Sequence, residues 1–174
     1  LYLTFDDGPT PGVTDWVLDL LKQNNAKATF FCIGSRVARF PELYQRILDE
    51  GHSVGNHTQT HPNGRSTDNT KYFTEVAQAA QLIESSLFRP PYGKLKFSQY
   101  QKLKSQYQIV LWDVLSWDFN TKVSTEKCWS NVKDNLGPGS VVVYHDKESC
   151  LEKLQYGLPK LFEEFGERYR FEKL

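Results

Sequence analysis

Two adjacent carboxylates, Asp6 and Asp7, close a run that reads as a buried strand, Leu1-Tyr2-Leu3-Thr4-Phe5, and lead into Gly8-Pro9. Taken alone, Asp-Gly-Pro is turn chemistry, and an acid ahead of a helix is most often a cap. Two side-by-side carboxylates repel each other, so keeping both ionised calls for a positive partner, either a metal ion or an arginine. The segment His57-Thr58-Gln59-Thr60-His61 supplies a way to hold the metal. Imidazoles four residues apart can converge on one ion from a single helical turn. Pro62 biases His61 away from helix, so a loop following a strand is an equal alternative. The spacing by itself is a weak signal. Joined by Asp7, the two histidines make a donor set with open positions, which suits a catalytic zinc whose bound water has a pKa near ~7.

Three further segments carry chemistry. Arg89-Pro90-Pro91-Tyr92-Gly93 is stiffened by its prolines, and Tyr92 has the first free N–H beyond the arginine. An outward N–H on a stiff loop is a good oxyanion donor, although a plain turn would read the same way. Trp112-Asp113-Val114-Leu115-Ser116-Trp117-Asp118-Phe119 combines two acids with aromatic rings on which sugars can stack. Val141-Val142-Val143-Tyr144-His145-Asp146 is a buried strand ending in a histidine, and with Asp118 to orient it His145 can act as a protonated general acid. His52, in the turn after Glu50-Gly51, is expected only to pack or hydrogen-bond there.

Strands and helices must position these groups. Strand candidates are Tyr2–Phe5, Ala28–Ile33, Ser53–Asn56, Leu87–Arg89, Ile109–Val114, Val141–Tyr144 and Tyr169–Glu172. Most are too apolar for a sheet with one wet face, so they read as strands covered on both sides. Between them Val13, Trp16, Val17, Leu20 and Leu21 share a helical face that Gly12 or Thr14 can open. Pro41 starts a second helix with Leu43, Tyr44, Ile47 and Leu48 inward and Gly51 closing it. Further helices are expected over Thr74–Ser85, Ser98–Ser105, Thr125–Leu136 and Leu151–Phe165, the last kinked or restarted by Pro159. Such alternation implies right-handed βαβ units and a parallel sheet. About seven strands without a dinucleotide glycine fingerprint favour a closed or nearly closed barrel over an open doubly wound sheet. Either way, functional residues should gather at the carboxyl ends of the strands, where Asp6, Asp7, His57, His61, Arg89, Asp118 and His145 fall.

At 174 residues the chain is expected to form one domain, 1–174. Its 21 basic and 21 acidic residues cancel, which argues against a nucleic-acid partner. Three cysteines without a C-x-x-C pair argue against a disulfide framework or a zinc–thiolate site. No apolar run approaches membrane-spanning length. The chain opens inside a strand, so the compartment is expected to follow from what precedes it: extracytoplasmic if an N-terminal signal stands upstream, otherwise cytoplasmic. Nothing in the sequence sets the oligomeric state.

The five segments, in this order and over nearly the whole chain, resemble the polysaccharide deacetylases of the NodB-homology group, carbohydrate esterase family 4. Thr4-Phe5-Asp6-Asp7-Gly8-Pro9 is the most specific of them. The resemblance implies an irregular (β/α) barrel and a divalent metal, zinc first and cobalt or nickel as alternatives. The implied substrate is an acetylated polysaccharide or oligosaccharide, with loss of N-acetyl favoured over O-acetyl. It implies Asp6 as the base toward the metal-bound water, Asp7, His57 and His61 as ligands, and Arg89 as the partner of Asp6. The Tyr92 N–H would face the oxyanion, His145 tuned by Asp118 would protonate the leaving amine, and Val143 would line the acetate-methyl pocket. Trp117 and Phe119 would border the sugar. The chain departs from the family pattern at Leu115, where an acid is common, at Phe119, where tryptophan is common, and at Val143, where leucine is usual. These changes leave the acetyl chemistry complete and alter the groove wall. Two other readings of the residues are a non-catalytic carbohydrate-binding domain and a non-haem iron oxygenase, the latter leaving the Asp6–Asp7 pair without a use.

Overall fold

The apolar runs sort into two faces as soon as they pair. The computed structural model describes residues 1–174. Its strands are β1 (Tyr2–Asp6), β2 (Ala28–Cys32), β3 (Ser53–Asn56), β4 (Leu87–Phe88), β5 (Gln108–Ile109), β6 (Val114–Leu115) and β7 (Val141–His145). They form one sheet in the order β5-β4-β3-β2-β1-β7-β6, and every pair is parallel. The helices are α1 (Val13–Gln23), α2 (Gly34–Arg39), α3 (Pro41–Asp49), α4 (Asn69–Ala80), α5 (Phe97–Leu103), α6 (Thr125–Lys133) and α7 (Leu151–Phe165).

The sheet must curl. Edge strands β5 and β6 are consecutive in the chain, with only residues 110–113 between them. Five residue steps reach at most about 18 Å, whereas a flat sheet of this size would hold its edges roughly 29 Å apart. The short crossing therefore draws the two edges together into the barrel-like form that the strand count suggested. Strand alternation then sends Leu3, Phe5, Phe30, Val142 and Tyr144 outward into the main core under the helices. Phe31, Leu87 and Val110 point into the barrel and pack together, with Val141 and Leu174 against them.

Several expectations change. The stretch expected as one strand, Ile109–Val114, is two short strands on opposite edges, because Arg89 and β7 each capture part of its backbone: the Arg89 side chain bonds the Val110 and Leu111 carbonyls, and Asp113 pairs with Val141. Asp113 consequently stands at the start of β6, at the end of the barrel away from the histidines. Tyr169–Glu172 is not a strand but crosses the starts of β1 and β2, where Arg170 and Phe171 carbonyls accept from the Leu1 amine and the Lys27 N–H. Of the kink or restart expected at Pro159, the restart does not occur: α7 runs on through it, with Leu154, Leu158, Leu161 and Phe162 buried along it. α4 begins at Asn69 rather than Thr74, because Asp68 accepts from the Lys71 N–H and caps it.

In α3, Leu43, Tyr44 and Ile47 are buried as expected, while Leu48 is 37% exposed. Ile47→Ala should therefore destabilise the fold by about 2–5 kcal/mol in denaturant unfolding, and Leu48→Ala should stay within about 0.5 kcal/mol. Equal losses for the two would contradict this placement.

Candidate functional site

The carboxyl ends of β1, β3, β4, β6 and β7 meet around one cavity of about 350 Å³. Asp6, Asp7, His57, His61, Tyr92, Trp112, Trp117, Phe119 and His145 line it, joined by Leu115, Lys94 and Lys147. Arg89 and Asp118 stand behind this wall, each fully buried and bonded to a residue that forms it. Val143 is the exception among the expected site residues. It is fully buried in β7, two positions below His145, and does not reach the open cavity, whereas Leu115 does.

At the centre, Asp7, His57 and His61 place one ligand atom each within 4.8 Å of one another. Asp7 Oδ1 lies 3.6 Å from His57 Nε2 and 3.2 Å from His61 Nε2. The same oxygen is buried and has no hydrogen-bond partner. His57 Nδ1 sits 2.6 Å from the Arg89 carbonyl and donates to it, which turns Nε2 toward Asp7. Burial, together with the neighbouring His57, holds the His61 pKa down to about 4, leaving His61 neutral at pH 7. For Asp7, burial acts in the opposite sense, but His57, His145, His61 and Lys147 together hold its carboxyl well below the usual range. An orphaned carboxylate oxygen facing two imidazole nitrogens is a donor set that fits a divalent metal.

Asp6 is held by a different device. Arg89 Nη1 donates to Asp6 Oδ1 at 2.8 Å and to Thr4 Oγ1 at 2.7 Å. Its Nε and Nη2 donate to the carbonyls of Val110 and Leu111, and its guanidinium lies 4.1 Å over the Phe31 ring. Every side of the guanidinium is used, so Asp6 faces a charge that cannot turn away. At the other wall, Asp118 Oδ2 accepts from the His145 N–H at 2.6 Å, and its Oδ1 lies 2.8 Å from His145 Nδ1. Burial pulls the His145 pKa down, yet the hydrogen bond and charge of Asp118 outweigh it and raise the pKa above its ordinary value. His145 itself lines the cavity.

Local backbone strain concentrates here. Six non-glycine residues have positive φ, and five of them, Asp7, Thr58, His61, Tyr92 and Trp117, belong to these loops. Such conformations cost about 1–3 kcal/mol each and persist only where surroundings enforce them. For Thr58, the Asn56 side chain accepts from its N–H, while its own hydroxyl accepts from His61 N–H. Tyr92 turns its ring edge-on to His61, and its N–H donates to no group of the chain.

Three residues of the site were given no role on sequence grounds. Glu75, from α4, accepts from both the N–H and the hydroxyl of Thr60, at 2.7 and 2.8 Å, and so fixes the loop between the two histidines. Lys147 donates to Asp7 Oδ2 at 2.8 Å, leaving Oδ1 to the histidine side. Asp146, whose pKa burial pushes up to about 7, accepts from the Thr14 hydroxyl and packs against Gly8, tying the turn after β1 to β7. Each acts through a distant segment, which is why spacing did not reveal it. His52 behaves as expected, accepting from the Ala28 N–H and packing edge-on to Phe30. Cys32, Cys128 and Cys150 are buried, unpaired and away from the donor set.

Comparison with known proteins agrees with the geometry. The profile of the family described as "Polysaccharide deacetylase" matches residues 1–109. The chain belongs to this family. It is 38% identical over 150 residues to a peptidoglycan-N-acetylglucosamine deacetylase of Bacillus cereus, a match covering 82% of this chain and 54% of that protein. The chain thus spans about half the length of that relative. It is also 38% identical over 154 residues to a chitooligosaccharide deacetylase of Bradyrhizobium, covering 84% of this chain and 70% of the other. The solved Bc1960 peptidoglycan N-acetylglucosamine deacetylase, in complex with a naphthalenyl N-oxidanyl-benzamide, superposes with a TM-score of 0.86 at 34% identity, covering 99% of this chain and 85% of that one. The NodB-homology barrel of seven parallel strands expected from the sequence is therefore the fold of this polysaccharide deacetylase family member.

Because Glu75 holds the histidine loop without touching the candidate ligand atoms, Glu75→Ala should weaken divalent-metal binding about 10–100-fold, as loss of an outer-shell partner does. Competition with a chromogenic chelator measures it, and wild-type affinity in the variant would show that the loop holds itself.

Proposed function

We propose that this chain, as a single domain over residues 1–174, is a hydrolase that removes acetyl groups from polysaccharide. The favoured substrate is N-acetyl on N-acetylglucosamine-containing polymer, peptidoglycan or chitin-like. The observation that carries the reading is the unpartnered Asp7 Oδ1 between His57 Nε2 and His61 Nε2, set beside a separate Asp6–Arg89 pair. Names of relatives that include peptidoglycan and chitooligosaccharide deacetylases support it.

Asp7, His57 and His61 would hold a divalent metal, with zinc favoured by the two nitrogens and one oxygen, and cobalt or nickel as substitutes. A cation bound there supplies Lewis acidity toward a water and toward a carbonyl oxygen. Asp6, oriented by Arg89, takes the proton of the attacking water. The outward Tyr92 N–H donates to the oxygen that gains charge as the carbonyl becomes tetrahedral. His145, kept protonated by Asp118, gives its proton to the departing amine nitrogen. The amide C–N bond breaks, releasing acetate and leaving a free amino group on the sugar. Trp117 and Phe119, with ring centroids 5.5 Å apart, form the wall against which a sugar face can stack, and Phe119 also braces His145 edge-on. A non-haem oxygenase would have no use for the buried base and the separate acid.

Acetate release from N-acetylglucosamine oligomers should require added zinc, stop with chelator, and fall at least about 100-fold in Asp6→Asn. The acid role has a signed pH dependence. His145 must be protonated, so activity is lost as pH rises through its raised pKa. Asp118→Asn removes what raises it, and the alkaline limb of the kcat profile should move to lower pH by about one unit or more. An unmoved alkaline limb would assign the proton donor elsewhere.

A further inference from the structure

Asp6 and Asp7 each have one carboxylate oxygen taken by a cationic side chain. Arg89 Nη1 donates to Asp6 Oδ1 at 2.8 Å, and Lys147 Nζ donates to Asp7 Oδ2, also at 2.8 Å. The remaining oxygens face the imidazoles. Asp6 Oδ2 lies 4.0 Å and Asp7 Oδ1 3.6 Å from His57 Nε2, and Asp7 Oδ1 lies 3.2 Å from His61 Nε2. Arg89 orients the proposed base, whereas Lys147 has no part in the proposed acetyl chemistry. Its placement follows from the sheet. β1 and β7 are parallel with Asp6 opposite His145, and the Asp146 N–H donates to the Asp6 carbonyl, so the pairing runs one step past β7. Lys147 is the next residue, and its side chain crosses from there to Asp7. On its far side it borders a separate depression together with Arg36, Arg39 and Glu148. Two guanidiniums against one carboxylate there leave the ammonium more to gain by staying on Asp7.

We propose that Lys147 determines which cations the Asp7, His57 and His61 set accepts, by holding Asp7 to a single ligand oxygen. The inference rests on the metal-site reading of these residues and goes beyond it by naming a residue that selects the metal. An ammonium on Oδ2 keeps a second cation from that oxygen, both by occupying its lone pair and by repulsion. With Asp6 Oδ2 given to the base role, a cation is left two imidazole nitrogens and one carboxylate oxygen, a set that suits zinc, cobalt or nickel. Manganese and calcium prefer carboxylate, carbonyl and water oxygens, and calcium sites commonly take a carboxylate through both of its oxygens. Released from Lys147, Asp7 would offer that second oxygen. The charge of the lysine acts on every divalent cation alike, whereas the number of carboxylate oxygens changes one cation relative to another. The ratio of two affinities therefore separates the two effects.

Zinc and manganese ions alone are the probes, so turnover does not enter. Zinc affinity of the metal-free chain is read by competition with a chromogenic chelator, and manganese affinity by electron paramagnetic resonance of the free ion. The unsubstituted chain should hold zinc and discriminate against manganese. Lys147→Met, and Lys147→Ala as a second way of vacating Oδ2, should each narrow the zinc-to-manganese ratio at least about tenfold, the scale on which outer-shell partners act. A ratio unchanged in both variants, including one in which both affinities rise by the same factor, overturns the proposal and leaves the metal site standing. Loss of zinc binding in both variants also overturns it, since Lys147 would then support the site instead of selecting its occupant. Failure of the unsubstituted chain to bind either ion overturns the metal-site reading itself, and the proposal with it, so the two failures are told apart.

Discussion

A guanidinium with no access to solvent occupies the interior of the barrel, and most of the site is arranged around it. Burying an unpaired charge there would cost several kcal/mol. Arg89 meets that cost with the Asp6 carboxylate, the Thr4 hydroxyl, two carbonyls of the 110–113 crossing, and the Phe31 and Trp112 rings. Those partners lie on β1, β2 and the segment that joins the sheet's two edges, so one side chain ties the barrel across its seam. Its own carbonyl then receives His57 Nδ1. Asp6, one imidazole and the barrel closure thus depend on a single residue, and the curl of the sheet and the geometry of the site are one structural problem.

Around this fixed centre, loops carry the strain. Asp7, Thr58, His61, Tyr92 and Trp117 adopt positive φ at the same end of the barrel. Elements behind the site hold them there: Asn56 and Glu75 on the histidine loop, Asp146 and Lys147 beside the β1 turn, and Asp118 under His145. The result is a cavity whose polar atoms are aimed before anything binds, the condition under which oriented dipoles and charges act most strongly.

The outer wall of the cavity has a different character. Leu115 and Phe119 add apolar surface to it, while Asp6, Asp7 and His57 are more deeply buried. On the proposed reading, the chemistry would be set at the strand ends and the substrate choice by the loops after β4, β5 and β6.

Residue type and order carried the chemistry in the sequence. Asp6-Asp7, the His57–His61 pair, Arg89, Asp118 and His145 were legible because each follows an apolar run, and strand ends converge in any parallel α/β sheet. Short apolar or β-branched runs likewise carried β1, β2, β3 and β7, where buried strands are long enough to show a pattern. The pattern failed for β5 and β6, two residues each, whose split depends on Arg89 and Val141 capturing the same stretch from opposite edges. It also failed at Leu48, because which face turns inward is set by packing. Glu75, Lys147 and Asp146 entered the site through contacts from 15 to 140 residues away in the chain, beyond the reach of any local spacing. The sequence by itself determined which groups could do the chemistry and at which end of the strands they would stand. Only the tertiary structure decided how each is aimed, since orientation comes from partners that the chain brings together only when it folds.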